Sequence, residues 1–260
     1  MALGNNQLAI YQARILLEKV GFADTPINPW KIVTLLKEQG LPFELFEESS
    51  GSIEGCTMKN NGKVSIILNK DIKSLTRRKF TLAHELGHAW LRSHTGKFSC
   101  ESATIETRTK NERESEANAF AAELLMPEDN FLSDIRNLNP TVDALHELGD
   151  VKYGTSITST ALRFAELTTI PCAVVLSEKG VVKWVRPSST WEGFIQERAL
   201  DSRSIAARCH KGGNANPSAV ETPANVWLDS ARPGKNLLEE CMAIPSFNQV
   251  ITILQPADDF

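Results

Sequence analysis

Apolar side chains recur along the chain at helical spacing in some stretches and at strand spacing in others. Residues 6–20 (NQLAIYQARILLEKV) repeat every three to four positions, as an amphipathic helix does. A second helix opens at Asn28-Pro29, where Asn28 can cap and Pro29 suits the first helical position, and it closes at Gly40. Residues 41–47 (LPFELFE) read as a strand. Two further runs, Ile53–Lys59 and Lys63–Asn69, flank Asn61-Gly62. That pair accepts positive φ at both turn positions, so the runs predict a β-hairpin. Ser74 can cap a long helix over 75–93 (LTRRKFTLAHELGHAWLRS). The tract 96–110 is polar and aperiodic and predicts a loop, which carries Cys100. A helix over about 111–126 must stop at Pro127.

Beyond Pro140 the pattern changes twice. Residues 142–152 and 157–167, joined through Tyr153-Gly154, predict two helices in a helix-turn-helix-like unit. After Pro171 the runs CAVVLS, VVKWVR and VITIL are strand-like, with Lys179-Gly180 as a hairpin turn between the first two. Three regions follow: 1–130, a helical region 131–169, and an α/β region 170–260. Composition narrows the class. The 260 residues are 42% hydrophobic and 23% charged, which excludes a chain disordered throughout. A net charge of −4 argues against a direct electrostatic grip on DNA. No apolar run approaches the ~18 residues that cross a bilayer, and the start MALGNNQLAIYQAR lacks a signal-peptide pattern. Five scattered cysteines without a CxxC pair argue against a disulfide framework and for a reducing cytoplasm.

One motif carries chemistry. His84-Glu85-Leu86-Gly87-His88 is an HExxH sequence inside a helical stretch. Residues four apart share a helix face, so His84 and His88 can aim two imidazole nitrogens at one metal ion. Glu85 projects to the neighbouring side, where it can take a proton from water activated by the ion and pass it to a leaving amine. Gly87 leaves room for close packing at a cost of about 1 kcal/mol in helix propensity. A catalytic site needs a third protein ligand, and Glu112, Glu114, Glu116 and Glu123 all precede Pro127. Glu114 and Asn118 are four apart and face the same way, so Glu114 as ligand leaves Asn118 to hold a ligand histidine. Glu116 lies about 200° around the helix from Glu114, so the two cannot both coordinate. Spacing alone does not choose among the four. Two histidines and a carboxylate suit Zn2+ and also admit Mn2+.

RRKFTLAHELGHAWL followed by ESEANAFAAELLMP resembles the ImmA/IrrE family of metallopeptidases. In that family the HExxH helix precedes a helix with an E-x-x-A-N-x-F-A-x-x-L-L-M-P signature. The resemblance implies that Glu114 is the third zinc ligand beside His84 and His88, that Glu85 is catalytic and that Asn118 supports the ligands. It implies an α+β fold: a zincin-like minimal metallopeptidase domain of helices and a small antiparallel sheet over 1–130, then the helix-turn-helix-like region, then a GAF-like domain. It further implies an endopeptidase that cleaves a helix-turn-helix transcriptional repressor and so derepresses stress-response or mobile-element genes. The edge of the 53–69 hairpin could pair with an extended substrate segment.

Other residues read more plainly. His94, six positions after His88, falls on another face and reads as a loop or surface residue. Arg77, Arg78 and Lys79 read as a solvated helix face that could steer an acidic substrate. His146, His210 and Tyr153 are open candidates for stabilising an oxyanion. A competing reading makes the chain a DNA-binding or scaffold regulator with a structural metal site. Against it stand the few basic residues of 141–168 and the open coordination position that HExxH with one glutamate leaves.

Overall fold

The computed structural model describes residues 5–22, 25–94, 97–101, 112–212, 218–229 and 234–257. In chain order they form α1 (Asn5–Val20), α2 (Pro29–Glu38), β1 (Phe43–Glu48), β2 (Ile53–Asn60), β3 (Lys63–Asn69), α3 (Leu75–Trp90) and β4 (Lys97–Glu101). There follow α4 (Glu112–Leu125), α5 (Glu128–Ile135), α6 (Val142–Glu147), a π-helical stretch Leu148–Tyr153 and α7 (Ile157–Leu167). The last elements are β5 (Ala173–Glu178), β6 (Val181–Pro187), α8 (Ile205–His210), β7 (Val220–Pro223), β8 (Asn236–Ile244) and β9 (Gln249–Pro256). The fold class is α+β. Two compact units make it up: Met1–Asn130 with Val151–Ser156, and Phe131–Asp150 with Ile157–Phe260.

The first unit sets α3 between a sheet and a helix. Asn28 and Ser74 cap α2 and α3 as their positions predict, the Asn28 side chain accepting from the Trp30 and Lys31 amides and the Ser74 hydroxyl from the Arg77 amide. The sheet order is β1-β3-β2-β4. The β2–β3 hairpin forms around Asn61 (φ 49°) and Gly62 (φ 77°), the turn that Asn-Gly predicts. The sheet is mixed rather than wholly antiparallel, because β1 runs parallel to β3. The short β1–β2 connection passes over the end of β3, where the Asn69 amide donates to the carbonyls of Gly51 and Ile53. The tract expected as a loop over 96–110 contains β4, which pairs with β2; residues 102–110 lie outside the described ones. Pairing with the open edge of β2 makes this strand, and backbone pairing requires no hydropathy period.

Helix α3 packs on β2 and β3 with one side and on α4 with another, so that every residue from Thr81 to Ala89 is buried. Leu82, Leu86, Phe120 and Leu124 are fully enclosed in this layer, each contributing about 1.5–3 kcal/mol of burial. Helix α1 packs on α4, and the Arg14 guanidinium bonds Glu123 at 2.7 Å and Glu128 at 2.6 Å. The basic run at the start of α3 is not a solvated face. Arg77 pairs with Glu54 (2.7 Å), Arg78 with Glu47 (2.8 Å), and buried Lys79 donates to the Tyr153 carbonyl (2.5 Å). The helix needs these ties because it has little solvent-facing surface.

The second unit is built on an antiparallel sheet of order β6-β5-β9-β8-β7, with α8 packed on β8 and β9. Lys179 (φ 51°) and Gly180 (φ 78°) make the expected turn between β5 and β6. Strand β8 has no clear sequence signal because Glu239 and Glu240 interrupt its apolar run. Both are buried, and Glu239 is satisfied by the Ala206 amide and the Thr222 hydroxyl, each at 2.9 Å. Cys209 and Cys241, 32 positions apart in sequence, bring their sulfurs within 2.8 Å in this core.

Candidate metal centre

Three potential ligand side chains converge between α3 and α4. Helical spacing stacks His84 and His88, whose Nε2 atoms lie 3.1 Å apart. Glu114 reaches them from the first turn of α4: Oε2 is 3.2 Å from His84 Nε2, and Oε1 is 3.4 Å from His88 Nε2. Among the described residues these are the His, Cys, Asp and Glu side chains that gather as a metal-holding group, and all three are buried. Two ligands each about 2.0–2.1 Å from a tetrahedral ion stand about 3.3–3.4 Å apart. The 3.1 Å between the two nitrogens is close to that edge length, and each nitrogen has one oxygen of the Glu114 carboxylate at a similar distance, 3.2 Å for Oε2 and 3.4 Å for Oε1. The donor set suits a divalent ion.

Electrostatics agree with that use. Burial pushes His88 down to about 4, which outweighs the raising effect of Glu114 and keeps the ring neutral, as a ligand must be. Burial pushes the Glu114 carboxyl up, but the two imidazoles beside it overcome this and hold it well below the usual carboxylate range. Burial also lowers His94, partly offset by its bond to Glu116, while the cations of Lys59 and Arg113 add to the lowering.

Close packing brings the two helices together. A Cβ at Gly87 would stand 3.2 Å from Ala117 Cα and from Phe120 Cβ, so this glycine permits α4 to approach α3. The other acidic candidates go elsewhere. Glu112 is exposed, Glu123 pairs with Arg14, and Glu116 bonds His94. Asn118 Oδ1 lies 2.9 Å from His84 Nδ1, where it can accept that hydrogen and so put the lone pair on Nε2, the nitrogen a metal ion would take.

Glu85 points from α3 to β2. The Thr57 hydroxyl donates to Glu85 Oε2 at 2.5 Å and lies 3.1 Å from the Glu85 backbone oxygen. Gly55 makes the space: a Cβ there would stand 2.5 Å from Glu85 Oε1. Neither Gly55 nor Thr57 carries a signal in the sequence, since both lie in a hairpin strand without a motif.

His94 lies in the loop after α3 and not at the surface. It is fully buried, with Nδ1 2.9 Å from His88 Nδ1 and Nε2 2.7 Å from Glu116 Oε2. The surface assignment assumed that α3 continues to residue 93. Instead the helix ends at Trp90, Leu91 turns to extended backbone (ψ 122°), and the chain folds back. Lys59 of β2 holds that turn by donating to the carbonyls of Leu91 and His94, each at 2.6 Å. An ammonium at a helix C-terminus suits the helix dipole. Of the oxyanion candidates, His146 and His210 belong to the second unit, and Tyr153 is fully buried.

Residues 45–165 match the family model of the IrrE N-terminal-like domain, Peptidase_M78. Over 124 residues the chain is 29% identical to an uncharacterized immunity region protein 2 of Bacillus phage phi105, covering 48% of this chain and 73% of that protein. A solved Mycobacterium tuberculosis transcriptional regulator shares the fold with a TM-score of 0.60 at 12% identity, over 96% of this chain and 76% of that one.

Proposed function

We propose that this chain, whose residues 45–165 carry an IrrE N-terminal-like domain, is a zinc-dependent endopeptidase that cuts a helix-turn-helix repressor and thereby releases the genes it silences. The observation that carries the reading is the triangle of His84, His88 and Glu114 with Glu85 beside it. His84 and His88 would hold the ion through Nε2 and Glu114 through its carboxylate, a set that favours Zn2+ and tolerates Mn2+. When bound, such an ion supplies Lewis acidity, acidifying water and polarising a peptide carbonyl. Three protein ligands leave a position for water and substrate.

Glu85 accepts the proton of the attacking water and delivers it to the leaving amine nitrogen. The Thr57 hydroxyl holds Glu85 Oε2, which leaves the other carboxylate oxygen for that transfer. Asn118 keeps His84 oriented. An extended substrate adds to the sheet along β4. That strand pairs with the β2 residues Gly55 and Thr57 that cradle Glu85, whereas both edges of the hairpin itself are taken by β1 and β4. A substrate in gene control accords with a relative named for an immunity region and a fold neighbour named as a transcriptional regulator, and the cytoplasm is the proposed place of action. No helix among the described residues is long and apolar enough to cross a membrane.

The test is incubation of the purified, metal-analysed protein with candidate repressors. Glu85→Gln is expected to retain the metal and to cut about 10²–10⁴-fold more slowly. If that variant cuts at the wild-type rate, the proton-transfer role assigned to Glu85 is wrong.

A further inference from the structure

We infer that His94 and Glu116 are positioning residues for the metal centre: the Glu116 carboxylate, acting through His94, sets which ring nitrogen of His88 carries hydrogen. The inference rests on the proposed metal site, and it follows from the order of three contacts. A neutral imidazole has one N–H donor and one acceptor nitrogen. Glu116 as a carboxylate can only accept, and His94 Nε2 stands 2.7 Å from it, so His94 carries its hydrogen on Nε2. His94 Nδ1 is then an acceptor. It stands 2.9 Å from His88 Nδ1, so His88 carries its hydrogen on Nδ1 and donates. The 2.9 Å contact with His94 is shorter than the 3.4 Å one between His88 Nε2 and Glu114, so the hydrogen sits on the Nδ1 side and the Nε2 lone pair faces Glu114 and His84 Nε2.

The reverse arrangement sets an acceptor nitrogen of His94 against the carboxylate oxygen at 2.7 Å, two lone pairs in contact. Glu116 excludes it. The two ligand histidines are therefore supported differently. An amide oxygen meets His84 directly, whereas a histidine and a carboxylate in series meet His88. Glu114 and Glu116 share one helix, and facing opposite ways suits the division: one reaches the ligands, and the other reaches His94 where the chain folds back after α3.

Nitrogen-15 imidazole spectra of the metal-free wild-type protein test this without any substitution. The expected result is hydrogen on Nδ1 of His88 and on Nε2 of His94; hydrogen on Nε2 of His88 overturns the inference. Zn2+ competition with a chromophoric chelator then compares wild type with Glu116→Leu and His94→Phe. Each variant, shown to be folded by circular dichroism, is expected to bind Zn2+ about 10–100-fold more weakly. Folded variants that bind as tightly as wild type also overturn it. Wild-type protein that takes up no Zn2+ sinks the metallopeptidase reading instead, and the His88 spectrum alone then decides the relay.

Discussion

Glu85 is confined by two residues of a neighbouring strand, one through a bond and one through lack of a side chain. Thr57 fixes Oε2, and Gly55 leaves a gap that a single methyl group would fill. For Gly55→Ala the added Cβ meets buried Glu85 from Cγ to Oε1, so the side chain must shift along its length at some cost to folding. The carboxylate leaves its place, and displacement of a catalytic group by about 1 Å can cost ~10²-fold in rate. The expected outcome is a folded protein with a lowered melting temperature, unchanged zinc content and about 10²-fold lower kcat/KM. Wild-type activity in this variant would show that Glu85 needs no such confinement. The two histidines of HExxH were legible because a spacing of four puts them on one face. Gly55, Thr57 and His94 were not, since their part in the site comes from chain segments that meet only in space.

At the scale of elements, the site depends on how closely α4 approaches α3. Gly87→Ala gains about 1 kcal/mol of helix propensity, but the new Cβ stands 3.2 Å from the Ala117 backbone, which cannot move away as a side chain can. Overpacking costs about 1–3 kcal/mol, so net destabilisation in urea unfolding is expected, together with weaker zinc binding as Glu114 is pushed from the histidines. The other end of α3 carries a pH signature. Burial lowers Lys79 to about 8 from an ordinary 10.5. Between these values the unfolded chain binds the proton that the folded one has released, so this group makes stability rise with pH through that window and fall as pH drops through 8. Wild type should therefore gain on Lys79→Met between pH 8 and 10.5, on the order of 1–3 kcal/mol, as measured by unfolding at both ends. A constant difference would mean that Lys79 is not desolvated. The ends of these elements were partly legible: Asn28, Ser74 and Pro127 mark boundaries by local chemistry, whereas the stop at Trp90 is made by Lys59 from another strand.

For the whole molecule, a metal held by residues of two helices is a tertiary crosslink that only the folded chain can make. Zn2+ at about 100 times its Kd is expected to stabilise the native state by about 2.7 kcal/mol, and a chelator to remove that gain. In His84→Ala the same addition should leave the melting temperature unmoved. A shift as large as in wild type would put the ion somewhere else. The gain belongs to the first unit, which contains all three ligands.

The sequence by itself determined the Asn-Gly hairpin, the caps of α2 and α3 and the shared face of His84 and His88. Each of these depends on residues within one or two turns of chain, where covalent geometry and side-chain period decide. Only the tertiary structure decided which of four glutamates meets the histidines, that the basic run on α3 turns inward, that a polar tract supplies a strand and that His94 returns to His88. Those outcomes depend on what packs against what: the close α3–α4 contact at Gly87, the free edge of β2 and a lysine from another strand that catches the turned-back chain. No local period encodes such partners, because the groups that make them lie far apart in sequence.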